Sequence, residues 1–242
     1  MQNPHWLSRS ELLIGSHAIQ KLQNARVLIV GMGGVGSYCA EYIARAGVGK
    51  MTIVDGDTIE ATNRNRQLPA LTSSEGESKA GWMANHLRDI NPDLDLTVVQ
   101  DYMVHQKLQD IINEKYDYAV DAIDTITPKL AMIRICIESG TRLVSSMGAG
   151  GKLDPEKIRI ANIWETYNCR FAQQVRKTMR KWGISQGFKT VFSSELQQKE
   201  ALQRVDGQRH KKSYYGTISY IPSMFGAFCA SVVIRDLIAE DV

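Results

Sequence analysis

An α/β fold, with a mostly parallel sheet flanked by helices and then a C-terminal extension, is what this 242-residue sequence predicts. Three observations carry the prediction. Short apolar runs alternate with helix-period segments from Val27 to Gly150. A glycine-rich loop, GMGGVG (31–36), lies between the first apolar run and the first of those helices. Acidic residues close two of the runs, Asp55 in one case and Asp121 and Asp124 in the other. Strands that alternate with helices pair in parallel through right-handed crossovers. A strand, a glycine loop and a helix in that order open a Rossmann-like nucleotide-binding unit.

Each element follows from local pattern. VLIV (27–30) is the first strand, and GSYCAEYIARAGVG (36–49) spaces Tyr38, Ala40, Ile43 and Ala46 along one face of a helix that Gly47 and Gly49 end. KMTIVD (50–55) is the second strand. ESKAGWMANHLRDINP (77–92) reads as a helix stopped at Asn91, because the residue before a proline is pushed out of the helical region. LDLTVVQ (94–100) alternates as a strand, and QKLQDIINEK (106–115) is helical. YDYAVDAID (116–124) is a strand ending in acid, PKLAMIRICIESG (128–140) a helix that starts with Pro128, and RLVSSMGAGG (142–151) a strand running into a glycine turn. Beyond GGKLDPEKIRIANIW (150–164) the alternation weakens. CRFAQQVRKTMRKWG (169–183) is a basic helix, FKTVFSSE (188–195) a strand and QQKEALQRVDGQRHKKSYYG (197–216) a polar loop. SMFGAFCASVVIRDLI (223–238) is an apolar helix, too short and too close to Arg235 and Asp236 to span a bilayer comfortably, so it is expected to be buried.

Composition narrows the function classes. With 43% hydrophobic and 23% charged residues the chain can bury one substantial core. A net charge of +3 does not by itself mark a polyanion binder. Four cysteines, with no Cys-x-x-Cys pair and no Cys/His cluster, do not support a structural zinc site. Cys39 and Cys136 fall in helical patterns as small core residues, whereas Cys169 and Cys229 are not placed by periodicity. The N-terminus lacks the basic start and apolar centre of a signal peptide, so a reducing, cytoplasmic setting with no membrane partner is expected.

The candidate chemistry gathers where strands end. Gly31, Gly33, Gly34 and Gly36 let backbone approach a phosphate at a helix N-terminus, and Asp55 closes the second strand, where a carboxylate accepts both ribose hydroxyls. VDGDTIEATNRNRQ (54–67) then adds Asn63, Arg64 and Arg66. Arginine grips phosphate through a planar fork, which suits a triphosphate better than a lone ribose. Lys79, opening the next helix, is either a second phosphate cation or an ordinary solvated charge. Of Asp121 and Asp124, one can hold Mg²⁺ against phosphate oxygens while the other caps the following helix, and Asp124 is assigned to the metal.

The run from Arg26 to Gln67, with Lys79 and DAID (121–124), resembles the adenylating superfamily of ubiquitin-activating enzymes and of the bacterial activators of thiamin and molybdopterin sulfur carriers, over roughly residues 9 to 150. That resemblance implies ATP as substrate. Asp55 would hold the ribose, Asn63, Arg66 and Lys79 the phosphates, and Asp124 the Mg²⁺. Arg9, in SRSELLIG (8–15), would reach from one protomer of a homodimer to the ATP of its partner, completing a catalytic set with Arg66, Lys79 and Asp124. Within that superfamily, GAGGKLDPEKIRIANI (148–163), VFSSE (191–195) and GTISYIPSMFGAFCASVVIRDLI (216–238) look like the tRNA threonylcarbamoyladenosine dehydratases. Such an enzyme activates the threonyl carboxylate of the modified adenosine with ATP and cyclises it, and an intramolecular closure needs no protein nucleophile.

The resemblance implies a tRNA substrate bearing threonylcarbamoyladenosine. It carries as further candidates a monovalent cation (Na⁺ or K⁺) and a sulfur-transfer partner protein. It gives the cations Arg170, Arg176, Lys177, Arg180, Lys181, Arg209, Lys211 and Lys212, the last three near Tyr214 and Tyr215, a polyanion to meet. One adenylating domain is expected over residues 1–242: an N-terminal arm (1–22), a nucleotide-binding core (23–165) and a C-terminal substrate or dimer region (166–242) with a mobile loop near 197–212. Three rivals stand beside it. The first activates the C-terminal glycine of a ubiquitin-like sulfur carrier, the second is a dinucleotide-dependent oxidoreductase, and the third binds nucleotide without catalysis.

Overall fold

The computed structural model describes residues 3–102, 105–197, 201–204 and 213–239. Two helices come first, α1 (Ser8–Ile14) and α2 (Ser16–Asn24), followed by β1 (Arg26–Val30), α3 (Gly36–Arg45), β2 (Lys50–Val54), α4 (Lys79–Ile90), β3 (Asp95–Val99), α5 (His105–Ile112), β4 (Tyr118–Asp121), α6 (Ile126–Ser139) and β5 (Leu143–Ser146). The second half holds β6 (Ile158–Asn162), α7 (Arg170–Lys181), β7 (Lys189–Ser193), a small pair β8 (Leu202–Arg204) and β9 (Ser213–Tyr215), and α8 (Tyr220–Ile238).

Seven strands form one sheet in the order β3-β2-β1-β4-β5-β7-β6, all parallel except the edge strand β6, which runs antiparallel to β7. The order reverses between β1 and β4, and in open α/β sheets ligands sit at that switch, outside the carboxyl ends of the strands. Because both faces are covered, β1 is apolar from Val27 to Val30 and not alternating. Val27 and Ile29 join the core beneath α3, α4 and α8, while Leu28 and Val30 join the one beneath α5, α6 and α7.

Helix α8 is the apolar segment expected to be buried. Its Phe225, Cys229 and Val233 are completely buried, and it packs along α3. Gly226 permits that approach, since a Cβ there would lie 2.5 Å from the carbonyl oxygen of Val35. At its other end Asp236 accepts bonds from the Tyr118 hydroxyl (2.8 Å) and from Lys189 Nζ (2.6 Å), fastening α8 beneath the sheet. Burial, followed by the neighbouring Asp236, pushes the Tyr118 phenol well above its usual range.

Several elements differ from the sequence reading. The N-terminal arm, given no secondary structure by the sequence reading, holds two helices and is docked through buried Leu7, Ile19 and Leu22. Helix α6 starts at Ile126, ahead of Pro128, because a proline in the first turn removes an N–H that has no intrahelical partner anyway. Strand β6 was masked by its position at the sheet edge, where only Ile158 is fully buried and the apolar run is short. Within the stretch read as a mobile loop, Leu202–Arg204 pairs antiparallel with Ser213–Tyr215; residues 198–200 and 205–212 lie outside the described residues.

Deleting the ring of a completely buried aromatic costs about 3–5 kcal/mol. Phe225→Ala is therefore expected to lower unfolding free energy by about that amount in a urea titration. A loss below about 1 kcal/mol would show that α8 does not belong to the core.

Candidate nucleotide-binding site

The carboxyl ends of β1, β2, β4 and β5 face one edge, and the glycine loop crosses it between β1 and α3. The loop is tight enough to require glycine at Gly36, where a Cβ would lie 1.7 Å from the carbonyl oxygen of Gly31. Gly31 itself has φ +97°. Helix α8 backs this turn, with Pro222 against Gly34, while Gly33 faces little but the Gln67 side chain.

Asp55, the first residue after β2, accepts N–H bonds from Met32 in the loop (2.6 Å) and from Asp57 (2.8 Å). Burial raises its carboxyl above the ordinary range, offset in part by those N–H groups and by the charge of Lys79. Each oxygen keeps lone-pair capacity for another donor, which is what a ribose diol offers.

Lys79 is buried at the first position of α4, where the helix field disfavours a cation. Asp57 offsets this, its carboxylate 2.9 Å from Lys79 Nζ, and the Ser78 side chain accepts the N–H of Gly81. A lysine at a helix N-terminus is a ready phosphate contact.

Between them runs a short turn, Ala61–Asn63, closed by a reciprocal bond between Glu60 and the buried Asn63. Arg66 follows, its guanidinium donating to the carbonyl of Thr62 (3.0 Å) and to Asn65 Oδ1 (2.7 Å). Burial lowers its pKa, and the opposite charge of Asp124 works against that shift. Asn65 reaches across to the carbonyl of Thr217 (2.8 Å), joining this segment to the lead-in of α8.

Asp124 is exposed, and the electrostatic link to Arg66 places it at the same edge. Asp121 is different. It is completely buried, its Oδ2 bonded to Lys129 Nζ (2.6 Å) and to the Ser145 hydroxyl (2.5 Å), and its Oδ1 to the N–H of Ile123 (3.0 Å). Asp121 is therefore no metal candidate, and neither aspartate caps α6, whose N-cap is Thr125 with no side-chain bond.

The edge thus collects Gly31, Gly33, Gly34, Gly36, Asp55, Asn63, Arg66, Lys79 and Asp124. It does not collect Arg9, which is exposed on α1 and shows no hydrogen bond or ion pair to these residues. Sequence reasoning missed Lys129 because it sits in a helix of apolar neighbours. The available signal was its place in the first turn of that helix, eight residues after Asp121. Gln67 was also passed over, and its Oε1 is buried with no partner among the described residues.

These residues fit a nucleoside triphosphate: a carboxylate for the sugar, a cradle that any Cβ would fill, an unsatisfied buried amide oxygen beside it, and two cations. No group of three His, Cys, Asp or Glu side chains suited to a metal occurs among the described residues. That is compatible with Mg²⁺, which takes one or two carboxylates and completes its shell with phosphate and water.

Two further predictions can be placed. Helix α7 exposes Arg170, Lys177, Arg180 and Lys181, with Arg180 over the Trp164 ring at 5.4 Å. Arg176 is half-buried and bonded to Thr166, while Arg209, Lys211 and Lys212 lie outside the described residues. All four cysteines are buried. Burial pushes the thiols of Cys136 and Cys229 up to about 12 and that of Cys39 well above its usual range, so none of these three is poised as a nucleophile. Cys169 caps α7, its sulfur 3.5 Å from the N–H of Ala172.

Known proteins are similar to this chain in sequence and in fold. The tRNA threonylcarbamoyladenosine dehydratase of Bacillus subtilis is 35% identical over 243 residues, covering 98% of this chain and 96% of that protein. Its Escherichia coli counterpart is 37% identical over 190 residues, 76% of this chain and 71% of that one. The crystal structure of the E. coli tRNA N6-threonylcarbamoyladenosine dehydratase in complex with ATP superposes with a TM-score of 0.87 at 31% identity, covering 98% of this chain and 97% of that one. The ThiF family model matches residues 7–241, and the chain belongs to the ThiF family.

Proposed function

We propose that this protein is an ATP-dependent tRNA threonylcarbamoyladenosine dehydratase. The observation that carries the reading is the convergence of Asp55, Lys79, Arg66 and Asp124 around one glycine loop, which matches a triphosphate and not a dinucleotide alone. The similarity in sequence and fold to dehydratases over nearly the whole chain supports the choice of substrate. Activation of a sulfur-carrier glycine is the weaker alternative, since this chain lacks paired Cys-x-x-Cys motifs and buries every cysteine.

The threonyl carboxylate attacks the α-phosphorus of ATP and pyrophosphate leaves. A nitrogen of the same substituent then attacks the activated carbonyl carbon, loses its proton and expels AMP, so the nucleoside loses one water overall. Asp55 and the loop amides orient the nucleotide. Lys79 and Arg66 stabilise charge that builds on the phosphates, an electrostatic task that needs fixed donors more than covalent chemistry. Asp124 would hold Mg²⁺, which shields the triphosphate.

The exposed cations of α7 have no ion-pair partner among the described residues, and they suit the phosphate backbone of tRNA. The arm supports a homodimer. Trp6, Leu12 and Leu13 are 43%, 89% and 85% exposed around Arg9, an apolar surface with a cation at its centre that a second copy of the chain would cover.

Incubation with ATP, Mg²⁺ and threonylcarbamoylated tRNA, followed by nucleoside mass spectrometry, should show loss of one water; no mass change overturns the reading. In the same assay Lys79→Ala and Arg66→Ala should each lower turnover by about a hundred-fold or more with melting temperature near that of the wild type. Lys177→Ala with Lys181→Ala should weaken tRNA binding and reduce the slope of log K against log salt by about 0.7–0.9 per lost phosphate contact. An unchanged slope would move the tRNA face elsewhere. Mixed Arg9→Ala and Lys79→Ala subunits should recover up to about a quarter of wild-type activity, the statistical share of intact composite sites in a dimer. No recovery would confine each site to a single chain.

A further inference from the structure

One ion pair at the ligand edge is sealed from water completely. Asp121 and Lys129 have no exposed side-chain surface, and their bonds reach in three directions. Asp121 Oδ1 takes the N–H of Ile123, fixing the turn that carries Asp124 away from β4. Lys129 Nζ donates to Ser145 Oγ (3.2 Å) and to the carbonyl oxygen of Ser146 (2.9 Å), the last residue of β5 before the glycine turn at 148–151. The same ammonium lies 5.5 Å from the centre of the Phe171 ring in the first turn of α7. Phe171 Cβ in turn lies 3.6 Å from where a Cβ on Gly148 would be.

A pair so deeply buried is a poor source of stability, because desolvating two charges offsets most of their attraction and well-packed apolar residues do as well or better. What it does supply is directional bonding to fixed points. Those points are the roots of two loops at the edge, 122–124 and 147–151, together with the start of α7. Ala122 also sits against the glycine loop, its carbonyl oxygen 2.9 Å from where a Cβ on Gly31 would be.

We infer that Asp121 and Lys129 are positioning residues, whose buried bonds hold the Asp124 turn and the loop after β5 in one register. The inference rests on the ATP-using reading only in its Mg²⁺ arm; the arm that reads loop order is independent of it.

The test is the neutral pair Asp121→Asn/Lys129→Met, which keeps the volume and leaves no uncompensated buried charge, alongside Ser145→Ala, which removes one shared hydroxyl. Amide hydrogen exchange is read by mass spectrometry in peptides spanning 121–125 and 146–152, with ATP binding titrated at graded Mg²⁺. In the folded neutral pair, exchange in both peptides should quicken at least ten-fold relative to β1. The Mg²⁺ needed for half-maximal ATP binding should rise at least three-fold. Ser145→Ala should shift both in the same direction by a smaller factor. If the folded neutral pair exchanges and binds as the wild type does, the pair has no positioning role. If the neutral pair fails to fold, Ser145→Ala decides: wild-type exchange in both peptides overturns the inference, and faster exchange in both sustains it. Faster exchange with no ATP binding by the wild type would sustain the positioning role and refute the ATP-using reading.

Discussion

Charge held out of water along the carboxyl ends of the strands is the constraint on which this molecule depends. Asp55, Lys79, Asp121 and Lys129 are all wholly or largely withdrawn from solvent, and each is matched. Asp55 takes two backbone N–H groups, Lys79 takes Asp57, and Asp121 takes Lys129. Removing one partner of the fully buried pair would cost about 3–5 kcal/mol, a large part of the stability of an ordinary domain. The frame of parallel strands makes these placements possible, since every strand delivers its last residue to the same edge.

The arrangement separates two duties. Asp121 and Lys129 face inward and bond only to protein, whereas Asp124 and Arg66 stand at the surface of the same edge. On the proposed reading the inner charges give direction to the loops, and the outer ones face the ligand. A nucleotide arriving here meets groups whose geometry is already set, which is how electrostatic preorganisation lowers a barrier.

Much of this was legible in the order of residues. The strand-loop-helix opening, the acid after β2 and the helix stop before Pro92 are local signals, and each stands where the periodicity placed it. The candidate site was readable for the same reason, since GMGGVG, Asp55, Arg66 and Lys79 lie in or beside local turns. What escaped was set by distant contacts. Lys129 looks like a lapse in an apolar helix until β4 and β5 are brought beside it. Strand β6 exists because β7 offers it an edge, and the helical arm exists because Leu7, Ile19 and Leu22 find a core to enter. That Asp121 is buried against Lys129, and does not cap α6, was also invisible, because its partner lies on another element.

Helix α8 has a consequence for the order in which the protein is made. Synthesis runs from N- to C-terminus, so the glycine loop is made before the wall behind it, Pro222 against Gly34 and Gly226 against Val35. A nascent polypeptide therefore carries that turn without its later support while the intervening residues are made. Until α8 packs along α3, the turn between β1 and α3 lacks that backing.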